Sequence, residues 1–592
     1  MPGFRPGMAV FLYLPRGDMS RQRNALALVG LLATAALATE NIVVGGDGNG
    51  ATWQEAAAVA PVIDFSTRAG WIQPRSVAEN TNIAAGILER GGRVTSPNAQ
   101  AVLRLTSDVL KERLHSMVDG DPATAFEAKD VVATGILLVV DLGARFGVNH
   151  IRFFPRQAFK SDFMKGYVLS INDGAFGADI VAASVDKLPD KTLLTVMAQD
   201  GSNSRDTIDV RFPLQYVRYL RLESTQRFNW EIDELEIFGS GFVPEADYLS
   251  EVFDMEQDAL WGRLQWATEQ VGLPQRSRLI VRTRSGSSPS PDDEPASWSP
   301  WSTPYRNSGD PILSPAPRRY FQFSMAFESD GLEDGIAVDS LAFEVFRPAL
   351  AQAIVGEIWP QEVPVGVDTS FVYTIEVTDA QGFDRLEIDT QAPVRALREL
   401  SVDGQAIEFS EELGAKGLRA SFVRQTGNRA LQVVFDTAVL RYETVFTGRL
   451  LDTTREGAIP QVIESGNAAP RFAGDDLSVR VPLKGQRLVH RVSATPAVFT
   501  PNGDGINDYT TITYDLLYLT GRAPVALRIY DLARNQVAEL PAAGSGSGRF
   551  LHPWDGRDAA GDLLLPGVYI LQVEVETDNG TERSSSVVTI AY

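Results

Sequence analysis

The chain has 592 residues, a net charge of −22 at pH 7 and a sequence pI near 4.8, and 44% of its residues are hydrophobic. This apolar content suffices for buried cores and excludes wholesale disorder. The acidic charge argues against nucleic acid or anionic lipid as a partner, because binding phosphates requires clustered Lys and Arg. The absence of cysteine excludes disulfides, thiolate nucleophiles and Cys-ligated metal centres.

Residues 1–38 match a cleavable secretory signal. Arg21 and Arg23 precede a short apolar run at 25–38 that ends in Ala-Leu-Ala. The run is too short to span a bilayer comfortably, and no later segment reaches membrane-spanning length. We therefore predict a protein that is secreted or held at the cell surface, cleaved near Ala38; a buried helix is the alternative interpretation, and translation starts at either Met1 or Met19. Residues 39–74 are rich in Gly and Ala in their first part and are predicted to be a linker.

Strand-length apolar or alternating runs recur from residue 71 onward, between clusters of Gly, Pro, Asn and Asp. This pattern predicts an all-β protein built of tandem β-sandwiches. The best helix candidates are 98–112 and 254–270. The clearest strand candidates are 136–142, 150–154, 167–171, 216–222 and 234–238. Composition shifts divide the chain into a jelly roll at 75–243, a second jelly-roll-like sandwich at 244–348, an Ig-like sandwich at 349–489 and a last sandwich at 490–592.

The sandwich at 75–243 carries an ordered set of motifs, of which no single one is specific. They are MVDGDPATAF at 117–126, LVVDLG ending at Gly143, NHIRFF at 149–154, YVRYLRL at 216–222 and WEIDELEIF at 230–238. In this order they resemble the coagulation factor 5/8 type C, or discoidin-like, domain of the galactose-binding type. The resemblance implies a jelly roll that binds glycan or extracellular matrix through loops at one rim.

A tight acidic turn in this sandwich is a candidate calcium site. Asp119, Asp121 and Thr124 supply oxygen atoms, and a glycine separates the two carboxylates. Calcium takes six to eight oxygen ligands, so hard oxygens on a sharp turn suit it. In the resembled family a Glu of the closing strand often completes such a site, and Glu234 stands at the matching position; the ion would then be structural. The alternative is a turn that its own side chains cap.

Sugar recognition needs an aromatic surface together with planar polar groups. The candidate ligand-binding residues are Arg152, Phe159, Phe163, Phe228 and Trp230. For the aromatic residues we favour the alternative that they pack in the core or at its edge. This applies above all to Trp230, which directly precedes the closing strand.

The last sandwich begins with FTPNGDGIND at 499–508, and ALRIYD, WDGRD and GVYIL follow. It is similar to the Ig-like domain of flagellar hook-capping proteins and to the C-terminal domain linked to gliding motility and type IX secretion. The similarity implies a stalk module or a sorting and anchoring module. Because the chain ends without a basic tail, the use of type IX secretion stays open.

The oxygen-bearing side chains of that motif form a second, weaker candidate calcium loop. Asn502, Asp504, Asn507 and Asp508 stand within seven residues, and two glycines allow a tight bend. No Glu stands at the last position of a twelve-residue calcium loop. We therefore favour a turn held by hydrogen bonds between its side chains and its backbone.

Motifs for catalysis are missing from the sequence. There is no Gly-x-Ser-x-Gly elbow, His-Glu-x-x-His pair or phosphate-binding loop, and carboxylate pairs mean little among 76 acidic residues. We predict a non-catalytic protein that binds glycan or extracellular matrix. The alternatives are an architectural component of an extracellular assembly and an unrecognised polysaccharide-degrading enzyme.

Overall fold

The computed structural model describes residues 39–591 except 47, 49, 130–134, 176–192, 473, 483–486, 520, 542–544 and 578–579. These residues form mainly β-strands in several sandwich-like sheets, with little helix. The predicted all-β class is therefore confirmed. The predicted signal at 1–38 lies outside the described residues.

The first part of the chain contains the sheet that corresponds to the predicted jelly roll. The helices in this part of the chain are α1 (Ala99–Leu103) and α2 (Ser107–His115). Its strands are β1 (Glu40–Gly45), β2 (Ala57–Val59), β3 (Ile63–Asp64), β4 (Gln73–Pro74), β5 (Ser76–Val77), β6 (Arg93–Thr95), β7 (Phe126–Ala128), β8 (Leu137–Phe154), β9 (Tyr167–Asn172), β10 (Thr195–Asp200), β11 (Ile208–Ser224), β12 (Trp230–Ile232), β13 (Glu234–Gly239) and β14 (Gly241–Phe242).

The main sheet of this sandwich has the strand order β10-β9-β11-β8-β13, with β6 also paired to β8. The long strands β8 and β11 pair antiparallel along most of their length. In β13, buried and partly buried residues alternate, which sends Leu235 and Ile237 into the core and Glu234 and Glu236 outward. The short ladders β7–β12 and β5–β14 accompany the main sheet.

The next strands form a second large sheet. They are β15 (Glu245–Ser250), β16 (Phe253–Val271), β17 (Ser277–Gly286), β18 (Asp310–Pro311), β19 (Arg318–Ser329) and β20 (Gly335–Phe346). The order is β1-β20-β16-β19-β15-β2, and β17 pairs with β19. The first two strands of the chain therefore belong to a sheet whose other strands lie about 200 to 300 residues further on.

The predicted linker at 39–74 is wrong for much of its length. Strand β1 pairs antiparallel with β20, from Glu40 opposite Val345 to Gly45 opposite Ser340. Trp53 is buried, and its indole N–H lies 3.0 Å from the carbonyl oxygen of Asp339. Strand β1 could not be predicted from the local sequence, because it is short, is followed by a Gly-rich stretch and pairs with a strand that is remote in sequence.

Both helix predictions need correction. Residues 254–270 lie in strand β16, which pairs with β19 and β20, so tertiary pairing overrides the weak helical pattern. Residues 98–112 do turn helical, but as two short helices. Arg104, with φ of 55°, ends α1 in the left-handed conformation and separates it from α2.

The last two sandwiches follow in chain order. The third contains β21 (Ala353–Trp359), β22 (Thr369–Asp389), β23 (Ala396–Val402), β24 (Gln405–Ala406), β25 (Phe409–Gly414), β26 (Gly417–Thr437), β27 (Glu443–Val445), β28 (Gly448–Leu451), β29 (Gln461–Val462), β30 (Glu464–Ser465) and β31 (Ser478–Arg480). The fourth contains β32 (Val489–Thr495), β33 (Val498–Phe499), β34 (Thr510–Leu516), β35 (Val525–Tyr530), β36 (Gln536–Leu540), β37 (Gly548–Trp554), β38 (Gly567–Thr577) and β39 (Gly580–Ile590). The main sheet of the third has the order β24-β23-β26-β22-β21-β30, and the fourth packs β32-β34-β37 with β33-β39-β38-β35-β36.

An ion-pair network centred on the buried Arg549 joins these two sandwiches. The guanidinium of Arg549 donates to the Asp515 carboxylate at 2.8 and 3.1 Å and to Asp368 at 2.9 Å. The Asp515 side chain has no exposed surface. Since Asp368 belongs to the third sandwich and Asp515 to the fourth, this contact fixes one sandwich against the other.

Candidate functional site

Loops that are distant in sequence meet at one end of the first sandwich. The backbone N–H of Thr225 donates to the carbonyl of Gly166 at 2.8 Å, and that of Glu231 donates to Asp162 at 2.8 Å. These bonds tie the loop after β8 to the segment between β11 and β12. We call this end the rim; it comprises residues 127–129, 155–166, 200–207 and 224–231.

The rim presents aromatic side chains to solvent. Phe159 is 43% exposed and Phe228 is 51% exposed, whereas Phe163 is half-buried. The Lys165 ammonium lies 4.0 Å from the ring centroid of Phe163 and 5.8 Å from that of Phe228. Two of the predicted aromatic residues therefore flank one cation, a geometry that stabilises the cation over the ring faces.

A buried carboxylate organises the cations beside Phe159. The Glu231 side chain has no exposed surface. It accepts hydrogen bonds from Lys129 Nζ at 2.7 Å, from Arg156 Nη2 at 2.7 Å and from Arg156 Nε at 3.0 Å. The Lys129 ammonium lies 4.2 Å from the Phe159 ring centroid, and the Arg156 guanidinium carbon lies 4.7 Å from it.

The charge state of Glu231 follows from these contacts. Burial alone raises the pKa of a carboxyl group, but the hydrogen bonds from Arg156 and Lys129 outweigh it and leave the pKa of Glu231 below its usual range. The carboxylate therefore stays ionised at neutral pH and fixes both cations. This network could not be predicted from the sequence, because Glu231 is far from Lys129 and Arg156 along the chain. The basic residues around Phe159 are its only local signal.

This arrangement has the chemistry that saccharide binding needs. An exposed phenyl ring can cover the apolar C–H face of a sugar ring. Guanidinium and ammonium groups donate hydrogen bonds to hydroxyl oxygens, and carboxylates such as those of Glu127 and Asp162 accept them. Because Glu231 holds two of the cations before any ligand arrives, less side-chain freedom is lost on binding.

Two of the predicted ligand-binding residues are not part of the exposed surface of the rim. Trp230 is only 1% exposed and stacks on Phe126 at 5.5 Å between ring centroids, so its predicted contact with a ligand is wrong. It is a core residue, as the packing alternative held. Arg152 projects from β8, forms an ion pair with Glu236 and lies over the ring of Phe154. Its contacts belong to the sheet, and the rim network is built on Arg156 instead.

The predicted acidic turn is closed largely by its own side chains. Asp119 accepts hydrogen bonds from the backbone of Asp121 at 2.9 Å and from the Thr124 hydroxyl at 2.9 Å. The turn also meets the closing strand, since the N–H of Gly120 donates to Glu234 at 2.6 Å. Gly120 has φ of 77°, which favours glycine. The structure thus brings Glu234 to the turn, as the resemblance implies.

Negative charge accumulates at this turn. Burial, together with the charges of Asp119, Asp233 and Glu236, raises the pKa of Glu234 to about 7, although the hydrogen bond from Gly120 opposes the rise. Asp233 is buried, and its Oδ1 atom has no hydrogen-bond partner among the described residues. A cation would relieve this repulsion, so the donor set fits calcium in chemistry.

The geometry of the turn is less suited to calcium than its chemistry is. Across the described part of the chain, no three His, Asp or Glu side chains are arranged as a metal site. Asp119 would have to exchange its hydrogen bonds from Asp121 and Thr124 for the ion. Calcium at Asp119, Asp121, Thr124 and Glu234 therefore stays a prediction.

The second acidic loop satisfies its own polar groups. Asp508 accepts from the backbone N–H groups of Gly503 and Gly505, both at 2.7 Å. Asp504 accepts from Ile506 at 2.7 Å, and Asn502 from Asp504 at 3.1 Å. These are the hydrogen bonds that the turn alternative predicts, and the weaker calcium prediction for this loop gains no support from them.

Within the described ranges, no helix has the length and apolar character of a membrane-spanning segment.

Part of the chain is similar to the solved structures of several carbohydrate-binding modules. No protein family profile matches the chain, and no curated protein does. A chitosan-binding module of a chitosanase/glucanase from Paenibacillus sp. IK-5 is 14% identical, with a TM-score of 0.19, and the match covers 27% of this chain and 100% of that one. A family 32 carbohydrate-binding module of Clostridium perfringens NanJ, in complex with galactose, is 17% identical, with a TM-score of 0.18 and coverage of 25% and 91%. The C-terminal domain of a Bacteroides fragilis chitobiase is 15% identical, with a TM-score of 0.18 and coverage of 25% and 90%. Such values transfer no ligand or activity to this chain.

Proposed function

We propose that this protein binds glycan or extracellular matrix through the rim and catalyses no reaction there. The observation that carries the proposal is the exposure of Phe159, which lies beside two cations, and of Phe228, which lies beside one. The cations next to Phe159 are held by the buried carboxylate of Glu231. A single exposed ring is ordinary on a protein surface, but here each ring lies beside cationic hydrogen-bond donors. A sugar ring with an apolar face and peripheral hydroxyls matches both features.

The rest of the chain has supporting roles in this proposal. Calcium at the turn of Asp119 and Glu234 would hold the closing strand against the turn and would not touch the ligand. The sandwich at 490–592 acts as a stalk or anchor, and the protein works outside the cell after export. The contact of Arg549 with Asp368 and Asp515 supports a stalk role, because it fixes the last sandwich to its neighbour.

The test is a glycan array probed with the full chain, with and without a calcium chelator. We expect binding to a restricted set of glycans and its loss in Phe228→Ala. Leu565→Ala is the matched control, since Leu565 is a strongly exposed apolar residue outside the rim. Chelation should lower the melting temperature and leave the glycan preference unchanged. A clean negative on soluble glycans and on cell-wall polysaccharides would contradict the proposal.

An architectural role is the second candidate, and the ion pair of Arg549 with Asp368 of the neighbouring sandwich is the observation that favours it. It predicts a negative array together with specific binding to another extracellular protein. Release of reducing sugar from polysaccharide by the purified chain would instead support catalysis and contradict both proposals.

A further inference from the structure

A cleft of about 420 Å³ lies in the first sandwich, away from the rim. It is formed where the segment 64–67 faces the stretch 75–85 and strand β8. The side chains that matter for its chemistry are those of Asp64, Thr67, Arg75, Thr81, Arg90 and Phe146. The volume is within the range of small-molecule sites, about 300–1,000 Å³.

Arg90 is a buried cation that forms no ion pair with a carboxylate of the described residues. It is 8% exposed, and its guanidinium carbon lies 5.3 Å from the ring centroid of Phe146. Two of its nitrogens donate to the backbone carbonyls of Ala85, at 2.8 Å, and Ile83. Its Nε is buried and has no hydrogen-bond partner among the residues that the structure describes. Buried charges are normally paired, so this one calls for a counter-ion.

A second guanidinium adds to the charge. Arg75 is exposed at the mouth of the cleft. Burial, and next the charge of Arg75, lower the pKa of Arg90 to about 10, while Glu89 acts in the opposite direction. Both guanidinium groups line the same cleft, in a chain whose net charge is −22 and in which acidic partners are abundant. An anionic ligand between them would remove the repulsion.

The carboxylate of Asp64, on the opposite wall of the cleft, restricts which anions can bind. Asp64 accepts hydrogen bonds from Ser66 and Thr67. Burial raises the pKa of Asp64, but these hydrogen bonds outweigh it and keep the group ionised. Its carboxylate would repel a doubly charged phosphate. It can accept a hydrogen bond from a ligand hydroxyl, and the hydroxyl of Thr81 can donate or accept.

We propose that this cleft binds a hydroxylated monocarboxylate of the uronic acid class. The ligand carboxylate lies at Arg75 and Arg90, and its hydroxyls face Asp64 and Thr81. The cleft and the rim share no residues. If the rim binds neutral sugars as proposed, the protein has a second site that binds an acidic sugar.

The test is calorimetric titration of the full chain with sodium glucuronate and sodium galacturonate at constant ionic strength. Glucose and sodium acetate serve as the neutral and the unhydroxylated controls. We expect a uronate to bind and Arg75→Gln to weaken it about tenfold or more, because a charge-assisted hydrogen bond is lost. Arg282→Gln, which removes an exposed arginine outside the cleft, should leave binding unchanged, and so should Phe228→Ala at the rim.

Each other outcome overturns the proposal. Uronate binding no tighter than glucose binding shows that the cleft does not recognise the carboxylate of a uronic acid. Acetate binding as tightly as uronate shows that hydroxyls are not recognised. Uronate binding that survives Arg75→Gln and Thr81→Val, but is lost in Phe228→Ala, places the acidic sugar at the rim.

Discussion

Replacing Glu231 by glutamine tests whether the rim is built on one buried carboxylate. The substitution keeps the shape of the side chain but turns one acceptor oxygen into an NH₂ group. That group would face the donors of Lys129 or Arg156, which now lie 2.7 Å from the carboxylate oxygens. The cations next to Phe159 would then lose their fixed positions.

The magnitude follows from the burial of the pair. Breaking a buried ion pair by removing one partner costs about 3–5 kcal/mol. We expect about 3 kcal/mol, the lower end of that range, because Lys129 and Arg156 both keep a contact with Glu127. Since about 1.4 kcal/mol corresponds to a tenfold change in an equilibrium constant, local opening should become about 100-fold more frequent.

Native-state hydrogen exchange of the full chain measures this opening in strands β7 and β12. Glu539→Gln is the control, because Glu539 is an exposed partner of Arg528 and surface pairs contribute at most about 1 kcal/mol. Exchange in β12 that changes less than about fivefold in Glu231→Gln, as expected for such a surface pair, would refute the reasoning.

Three further predictions concern pH, the core and the junction. Because the pKa of Glu231 is lowered in the folded state, its ionisation stabilises the fold fully above the unfolded-state pKa of about 4.3. This stabilisation is lost as the pH falls through the folded-state pKa. Hydrogen exchange in β12, followed during acid titration, should show no such loss in Glu231→Gln. Trp230→Ala should destabilise the first sandwich by about 3–5 kcal/mol in urea unfolding, whereas Phe228→Ala should change its stability by less than about 0.5 kcal/mol. Arg549→Met leaves the buried Asp515 carboxylate unpaired and should cost about 3–5 kcal/mol in hydrogen exchange of β34, and the double variant with Asp515→Leu should recover most of that loss.

Local patterns predicted the strands well, because the signal for a half-buried strand is contained in the strand itself. In β13, the alternation that sends Leu235 and Ile237 inward is visible in the printed sequence. Local patterns do not predict a strand that forms only because it pairs with another strand far away in the sequence. Strand β1 is ordered by pairing with β20, and β16 extends because it lies between β19 and β20.

The candidate site was predicted only in part, for the same physical reason. Phe159 and Phe228 were candidate binding residues, although packing in the core or at its edge was the favoured interpretation, and the structure leaves 43% and 51% of them exposed. Core packing was already the favoured interpretation for Trp230, whereas the hydrogen bonds of Glu231 to two cations depend on how β7 pairs with β12. The cleft at Arg90 has no local signal, since the segment at 64–67 that forms one wall was predicted to be a linker.

The affinity of the full chain for its best array glycan, compared with that of the double variant Phe159→Ala/Phe228→Ala, tests the proposed role of the rim most directly. We predict that affinity falls about tenfold or more, while the free energy of unfolding falls only by the roughly 1–2 kcal/mol of the two cation contacts at Phe159. Equal affinity in the two proteins would show that the glycan is held somewhere other than the rim.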